Sequence, residues 1–245
     1  MMWFGRAARR LLLTALAPLV LAAAGCGGSD SDRRDFEPWR AEGLWSGTTS
    51  TGTFDGVILD TGEYWFIYGS GGVARSVVRG SGYFNRGQFV SDNGADYAFG
   101  FDRPFGSTFS SVVEPEFSIN GEVFLQNRLE AFSLAYVPDY RFPANPAAIV
   151  GRFIGSGSTL LSSGDFVIDI DDFGNFTASL AGSCSYGGRI LPNRNQRNVF
   201  DISLSGLPSC PFLYSANGVA IYTGGRLVIT AVTPDQRDVF YAVGQ

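Results

Sequence analysis

The amino-acid sequence predicts an all-β protein, an antiparallel barrel or sandwich made of two small related β modules that follow a cleaved signal peptide. Three observations support this prediction. Apolar residues alternate with polar or small residues in many short runs, which is the pattern of a strand with one buried face. Turn sequences that contain glycine separate these runs. A short motif of glycine and aromatic residues occurs once in each half of the chain.

The start of the chain has the pattern of a secretory signal. An apolar stretch at 11–24 is too short to cross a bilayer of about 30 Å as a helix. Small residues at 23–25 precede Cys26, whose thiol can accept a diacylglyceryl group. The positive charge before the stretch comes from Arg6, Arg9 and Arg10.

The segment 19–28, LVLAAAGCGG, resembles the lipobox of bacterial lipoproteins. It departs from the usual lipobox because Ala23 stands where leucine is commonest. The resemblance implies cleavage before Cys26, lipidation of its thiol and new amine, and a membrane anchor. Gly27 is not the aspartate associated with inner-membrane retention, so the resemblance implies the outer membrane, on its periplasmic or its surface face. An ordinary cleaved signal with an incidental cysteine is the alternative.

Composition excludes several classes of function. The chain has 23 acidic and 18 basic residues and a formal net charge of -5, and every basic residue is an arginine. This acidity argues against a nucleic-acid partner, since phosphate binding relies on clustered cations. Without histidine or lysine, the chain cannot build a Ser-His-Asp site, a Cys-His site or a lysine Schiff base. We therefore expect a protein that is not an enzyme and that has no cofactor.

The two cysteines that remain after Cys26, Cys184 and Cys210, are predicted to form a disulfide. Exported proteins reach an oxidising compartment, where such a bond would stabilise the fold by about 3 kcal/mol. A reactive thiol or a metal site is the alternative. A zinc site is disfavoured because the chain has no histidine and no Cys-x-x-Cys spacing.

The distribution of polar, apolar and proline residues predicts four segments. They are a signal peptide at 1–25, a lipidated flexible tether at 26–40, an N-terminal β module at 41–137 and a C-terminal β module with the disulfide at 148–245. The tether is polar and has no apolar period. A proline-rich stretch at 138–148 joins the two modules.

The alternating runs place the strands in order. They lie at 97–101, 117–125, 132–136, 166–170, 176–180 and 200–204. Hairpin turns are expected at the glycine-containing sequences 60–62, 92–94, 173–175 and 217–218. The runs are short compared with the strands of about 9 to 11 residues that cross a bilayer, so they do not favour a transmembrane barrel.

A weak internal repeat supports two related modules. The segments 43–48, GLWSGT, and 151–156, GRFIGS, share the pattern Gly-x-aromatic-x-Gly followed by a hydroxyl residue. Each copy leads into a predicted hairpin, at 57–66 and 168–177. Glycines at such strand positions permit the sharp curvature of small barrels. Chance similarity in a glycine-rich chain is the alternative.

The Gly-x-aromatic-x-Gly strand openings of a lipid-anchored chain, with the ending VFYAVGQ at 239–245, resemble the β-barrel modules of surface lipoproteins of the transferrin-binding protein B class. The resemblance implies a barrel architecture. It implies no activity, because no residue of a partner-binding motif can be matched.

Two groups of residues are candidate binding sites. The first is a cluster of acidic and amide oxygens that would suit calcium, although alternation with core residues favours a solvated hairpin instead. It consists of Asp169, Asp171, Asp172 and Asn175. The second is a set of aromatic residues that could contact a protein, a glycan or a lipid, or could instead form core packing. It consists of Trp45, Tyr64, Trp65 and Tyr68.

The sequence therefore predicts a lipid-anchored cell-envelope protein with a non-catalytic binding or structural role. A carrier of a small apolar ligand or glycan in an aromatic-lined β cavity is the alternative. A glycosidase that uses two carboxylates, for which Glu114 and Glu116 are the nearest pair, is the least favoured reading.

Overall fold

The computed structural model of the 245-residue chain describes residues 38–182, 184–206 and 215–245. These residues form seventeen strands, which pair antiparallel, and three short 3₁₀ helices. The all-β prediction is confirmed. Within the described ranges, no helix has the length and the apolar character needed to cross a membrane.

The strands are numbered in chain order. The first nine are β1 (Gly43–Thr49), β2 (Thr53–Ile58), β3 (Glu63–Ser70), β4 (Val73–Ser81), β5 (Tyr83–Asn85), β6 (Gln88–Ala98), β7 (Phe105–Glu114), β8 (Ser118–Leu125) and β9 (Arg128–Tyr136). The others are β10 (Gly151–Ser158), β11 (Ser163–Ile170), β12 (Asn175–Leu180), β13 (Cys184–Pro192), β14 (Phe200–Gly206), β15 (Ser215–Thr223), β16 (Arg226–Val232) and β17 (Val239–Gly244). The 3₁₀ helices are Pro38–Ala41, Pro138–Arg141 and Pro146–Ile149.

The first barrel consists of eight strands in the order β4-β3-β2-β1-β9-β8-β7-β6, and pairing of β4 with β6 closes it. The short strand β5 pairs with the other end of β6. The turn predicted at 92–94 is wrong, because the register of β6 shifts there and the strand continues. The Asn93 side chain accepts a hydrogen bond from the Ser81 N–H (2.9 Å) and donates one to the Ser81 hydroxyl (2.9 Å). These bonds join the bulged segment of β6 to the end of β4.

The second barrel consists of β10 to β17 in sequential order, and pairing of β17 with β10 closes it. The strands that carry the repeated motif, β1 and β10, hold equivalent positions, since each pairs with the next strand and with the last strand of its barrel. A Cβ on Gly47 or on Gly155, the fifth residue of each motif, would collide with a main-chain carbonyl oxygen of the last strand. The motif therefore meets the same steric requirement in both barrels.

The other turn predictions had mixed outcomes. Those at 60–62 and 173–175 are confirmed as the β2–β3 and β11–β12 turns. The prediction at 217–218 is wrong, because Gly218 lies inside β15, where its missing side chain leaves room for the Thr230 carbonyl oxygen. An Asn-Gly pair is favoured in a hairpin turn, and its glycine is also favoured in a strand that another backbone approaches closely. The local sequence therefore does not distinguish a turn from a strand at this position.

Side chains fill both barrel interiors. The first core is rich in aromatic rings, and Phe54 stacks on Phe66 with ring centroids 4.6 Å apart. The second core consists mainly of isoleucine, leucine and alanine around Tyr186 and Phe240, whose centroids are 5.2 Å apart. Each barrel is therefore a packed core, as small barrels with eight strands commonly are.

A third cluster of buried residues joins the outer faces of the two barrels. The aromatic block 64–68, YWFIY, lies on β3 and serves two cores. Its first, third and fifth side chains fill the first barrel, whereas Trp65 packs in the shared cluster and Ile67 packs against it. Both faces of β3 are thus covered, which explains why this block shows no alternation.

Tyr140 links the segment between the barrels to both of them. Its buried hydroxyl donates a hydrogen bond to Oε1 of Glu42 (3.0 Å) and accepts one from Nδ2 of Asn195 (3.3 Å). The same Glu42 oxygen lies 3.5 Å from Nε of Arg197. Burial, and secondly the Glu42 carboxylate, raise the pKa of Tyr140, so the phenol keeps its proton and the hydrogen bond.

Candidate functional site

The four aromatic residues predicted as ligand or partner contacts are buried. Trp45 and Tyr64 are 0% exposed, Trp65 is 3% exposed and Tyr68 is 6% exposed. Three of them also use their polar atoms in hydrogen bonds, Trp45 with Ala41, Tyr68 with Thr51 and Tyr64 with Ser91. The fold therefore uses these large rings to fill its cores, and their role in ligand or partner contact stays a prediction.

The acidic cluster predicted as a weak calcium site forms the β11–β12 turn. Oδ1 of Asp171 accepts hydrogen bonds from the N–H groups of Phe173 (2.9 Å) and Asn175 (2.8 Å), and its Oδ2 accepts one from Nδ2 of Asn175 (3.0 Å). The side-chain bond from Asn175, more than any other interaction, lowers the pKa of Asp171. Asp169 and Asp172 are exposed. In the described part of the chain, no group of three acidic, cysteine or histidine side chains could hold a metal ion.

The carboxylate pair Glu114 and Glu116 lies at the end of β7 and in the turn that follows it. Both residues are exposed, and neither lines one of the clefts described below. Glu116 forms an ion pair with Nη2 of Arg141 at 2.8 Å. The structure therefore places these acids on a turn, with no walls to hold a substrate.

Two of the three cysteines, Cys26 and Cys210, lie outside the described residues. Cys184 begins β13, where it is half-buried and packs against the second barrel core. The Cys184–Cys210 disulfide and the lipid at Cys26 stay predictions.

Two large clefts lie along the junction of the barrels. The first, named here the arginine cleft, has a volume of about 700 Å³. At the edge of this cleft, the Arg79 guanidinium lies 5.2 Å from the centroid of the Trp65 ring. Nε and Nη2 of Arg79 donate hydrogen bonds to Oε1 of Glu63, at 3.0 and 2.8 Å. The lining has three basic and three acidic residues, so it carries no formal net charge. They are Arg79, Arg189, Arg194, Asp60, Glu63 and Asp201.

The second, named here the hairpin cleft, has a volume of about 560 Å³. Strands β1 to β4 form one wall, and strands β15 to β17 form the other. Half of the side chains that line it are aliphatic. They include Leu44, Ile67, Val137, Ile221 and Val228.

One Gly-Gly turn from each barrel borders the hairpin cleft. Gly71 and Gly72 join β3 to β4, and Gly224 and Gly225 join β15 to β16. All four have positive φ, between 58° and 78°, as a two-residue type I′ turn requires. A Cβ at any of them would meet nothing within 4 Å. The turns therefore leave the adjacent cleft uncovered by side chains.

Six polar side chains line the hairpin cleft. Three are the hydroxyl residues Ser46, Thr53 and Thr223, and the others are Asp55, Arg226 and Tyr241. Arg226 is exposed and takes part in none of the ion pairs between described residues. Asp55 is half-buried and accepts a hydrogen bond from the Ser46 hydroxyl at 2.5 Å. Tyr241 is 8% exposed. Burial raises the pKa of Tyr241, an effect that Arg226 opposes and Asp55 reinforces, so the phenol stays neutral at physiological pH.

The sequence signals alone did not reveal this cleft. Each Gly-Gly pair lies between apolar runs and predicts a hairpin by itself. The apolar wall residues, however, are separated by more than a hundred positions, for example Ile67 and Ile221. Only barrel packing brings them together.

The structural neighbours of this chain include two distant ones. No family model and no curated protein matches the chain. One neighbour is the isotype 1 transferrin binding protein B from serogroup B Neisseria meningitidis, at 12% identity and a TM-score of 0.30, with 79% of this chain and 52% of that chain covered. The chain thus spans about half the length of that structure. The other is a protein with unknown function from the DUF3598 family of Nostoc punctiforme, at 11% identity and a TM-score of 0.28, with coverages of 83% and 93%.

Proposed function

We propose that the chain is a lipid-anchored cell-envelope protein that binds a ligand in the hairpin cleft without chemically converting it. The observation that carries this proposal is the cleft itself, an apolar space of about 560 Å³ between the barrels. Ligand sites are typically concave, mostly apolar and about 300 to 1,000 Å³ in volume, with a few polar groups for orientation. The hairpin cleft has this size and this chemistry.

The proposal places the ligand between the barrels. Both interiors are filled by their own side chains, which favours an external cleft over an internal cavity. The arginine cleft is larger, but its three arginines are balanced by three acidic residues, and Arg79 is paired with Glu63. The hairpin cleft is therefore the better candidate.

A role without catalysis is supported by the chemistry of the chain. There is no histidine or lysine to act as a general base or covalent nucleophile. The candidate acids Glu114 and Glu116 are exposed, and Glu116 is paired with Arg141. A hydrolytic reaction would need two carboxyl groups that face each other across a bound substrate.

The lipid anchor and the outer-membrane location are supported by the lipobox-like segment 19–28. Each buried methylene of an acyl chain contributes about 0.8 kcal/mol, so several chains on Cys26 would anchor the protein stably. A Cys26→Ala variant should be released from washed membranes, and its retention would contradict the anchor. Separation of inner and outer membranes would locate the wild type.

A crosslinking experiment in intact cells tests the cleft. A photoreactive residue at Val73, at the border of the cleft, should capture the ligand, whereas the same group at Ile154 on β10 should not. The two positions are matched, since their side chains are 55% and 54% exposed. Addition of Val228→Trp, which fills the cleft, should abolish capture at Val73. Equal capture at both positions, or capture that survives this substitution, would refute the proposed site.

A further inference from the structure

We propose that the ligand of the hairpin cleft is a monoanionic amphiphile, an aliphatic chain that ends in one carboxylate. This inference rests on the proposed binding role of the cleft and names the class of its ligand. The inference depends on Arg226, which lies at the aliphatic wall of the cleft and forms no ion pair with another described residue. The buried, neutral phenol of Tyr241 lines the same cleft.

The wall favours an aliphatic body over a sugar. Its apolar surface comes from leucine, isoleucine and valine side chains, which bind apolar groups without directional contacts. No asparagine or glutamine lines the cleft, so the amide groups that commonly pair with sugar hydroxyls are missing. Trp45, which also lines it, is 0% exposed and cannot offer a ring face for stacking.

Arg226 provides the site for the anionic head. Its guanidinium has no carboxylate partner in the described part of the chain, and a guanidinium matches a carboxylate with two parallel hydrogen bonds. Tyr241 adds a neutral hydroxyl, which can donate a further hydrogen bond. An anion in the cleft would therefore meet donors, whereas a cation would meet the unpaired positive charge of Arg226.

Asp55 explains why the ligand should carry only one negative charge. Its carboxylate lines the first-barrel wall and is satisfied by the Ser46 hydroxyl at 2.5 Å. A second anionic group within the cleft would be repelled by this charge, because like charges at short range raise the energy of a partly buried site. The monoanion is thus selected by one attractive and one repulsive residue.

The topology argues against an extended peptide as the occupant. Peptides that bind β-sheets usually add a strand to a free edge. The wall strands β1, β2 and β3 and the facing strands β15, β16 and β17 each pair on both sides. The fourth wall strand, β4, pairs with β3 and, over Ser76–Arg79, with β6. Along almost all of its walls the cleft therefore offers side chains and not an unpaired strand.

Calorimetry with the full lipidated chain in phosphatidylcholine nanodiscs tests the inference, with empty nanodiscs as the reference. The probes are decanoate, the neutral decanol and the dianionic decanedioate. Decanoate should bind at least about tenfold more tightly than decanol, because charge-assisted hydrogen bonds form only with the carboxylate. Decanedioate should bind more weakly than decanoate. Equal binding of decanoate and decanol would overturn the inference.

Four variants locate the effect. Arg226→Gln should weaken decanoate binding about tenfold and leave decanol unchanged, and Asp55→Asn should strengthen decanoate binding severalfold. These opposite changes separate the charge effect from damage to the fold. Arg152→Gln, an exposed arginine on β10 outside the cleft, is the matched control and should change nothing. Val228→Trp should abolish binding of both probes.

The outcomes separate this inference from the proposed function. Suppose that decanoate does not bind, while the photoreactive residue at Val73 still captures a ligand and Val228→Trp abolishes this capture. This result would overturn the inference that the ligand is an anionic amphiphile, and it would leave the cleft as a binding site for another ligand, such as a protein. Decanoate binding that survives Val228→Trp would overturn the inference, because the site would lie elsewhere. If decanoate does not bind and the photoreactive residue at Val73 captures no ligand, the proposed function would be overturned too.

Discussion

Gly62 and Gly174 hold the same position in the two barrels. Each lies in the left-handed region, with φ of 83° and 77°, in the turn between the second and third strands of its barrel. The carbonyl oxygen of Gly62 accepts a hydrogen bond from the Gly82 N–H (2.9 Å), and that of Gly174 accepts one from the Ile190 N–H (2.7 Å). The two hairpins thus share the same turn, and in each of them the turn glycine also forms a hydrogen bond with a later segment of the chain.

These two glycines should tolerate no side chain. A Cβ at either position would collide with the carbonyl oxygen of Gly82 or Ile190, in addition to the cost of a positive φ. We expect Gly62→Ala and Gly174→Ala each to lower the free energy of unfolding by about 2 to 4 kcal/mol, as measured by urea denaturation.

Gly71→Ala is the matched control for this prediction. Gly71 also has a positive φ, of 63°, but a Cβ there would meet nothing within 4 Å. It should cost only about 1 kcal/mol, which is the backbone contribution alone. Similar losses in all three variants would show that the steric collision is unimportant.

The hydrogen bonds of Tyr140 should contribute to the stability of the joined barrels. Tyr140→Phe removes the donor to Glu42 and the acceptor for Asn195 and leaves the ring in place. We expect a loss of about 1 to 3 kcal/mol, because Glu42 would keep only its longer contact with Arg197. Thermal denaturation measures this loss. Tyr222→Phe, whose hydroxyl makes no hydrogen bond to another described residue, should leave the melting temperature unchanged.

Asp96 should make the stability of the fold depend on pH. Burial raises the pKa of Asp96 from 3.8 to about 6, although its Oδ2 accepts a hydrogen bond from the Gln126 N–H at 3.2 Å. The folded protein therefore binds this proton more tightly than the unfolded chain does. Its stabilising contribution is fully present below about pH 4 and is lost as the pH rises through about 6, a change of about 2 to 3 kcal/mol.

The Asp96→Asn variant isolates this contribution, because its amide is neutral at every pH. Relative to the wild type, the variant should gain about 2 to 3 kcal/mol of stability between pH 4 and pH 7. Urea denaturation at the two pH values measures the difference. A difference between the two proteins that stays constant with pH would show that Asp96 titrates normally.

The Cys184–Cys210 disulfide can be tested directly. Mass spectrometry of a non-reducing digest should recover a peptide that joins the two cysteines. Reduction should lower the free energy of unfolding by about 3 kcal/mol, and Cys184→Ser should cause a similar loss that reduction does not increase. Two free thiols in the exported wild type would contradict the pairing.

The sequence was most informative where the physical signal was local. Alternation on β11 predicted that Ile168 and Ile170 would be buried while Asp169 would be exposed, as the structure shows. The repeated motif identified β1 and β10, because Gly47 and Gly155 are each approached closely by the last strand of their barrel. Local sequence was less decisive at Asn93 and Gly218, where the neighbouring strand decides between a turn, a bulge and a straight strand.

The aromatic residues mark the limit of the local signals. The block 64–68 indicated that both faces of β3 could be covered, but it did not show which part of the protein packs on the second face. The other barrel covers that face, so Trp65 packs in a shared core and also lines the arginine cleft. Large rings are favoured by cores and by binding sites alike, so residue type alone could not separate the two roles.

By itself, the sequence determined the all-β class, the pair of related modules and the absence of histidine and lysine chemistry, because alternation, turns and composition are properties of short segments or of the whole chain. The tertiary structure decided that the barrels are filled and that the cleft lies between them. Leu44 and Ile67 meet Ile221 and Val228 across this cleft only after two barrels have closed and packed. Their proximity results from contacts between residues distant in the chain, which no local pattern records.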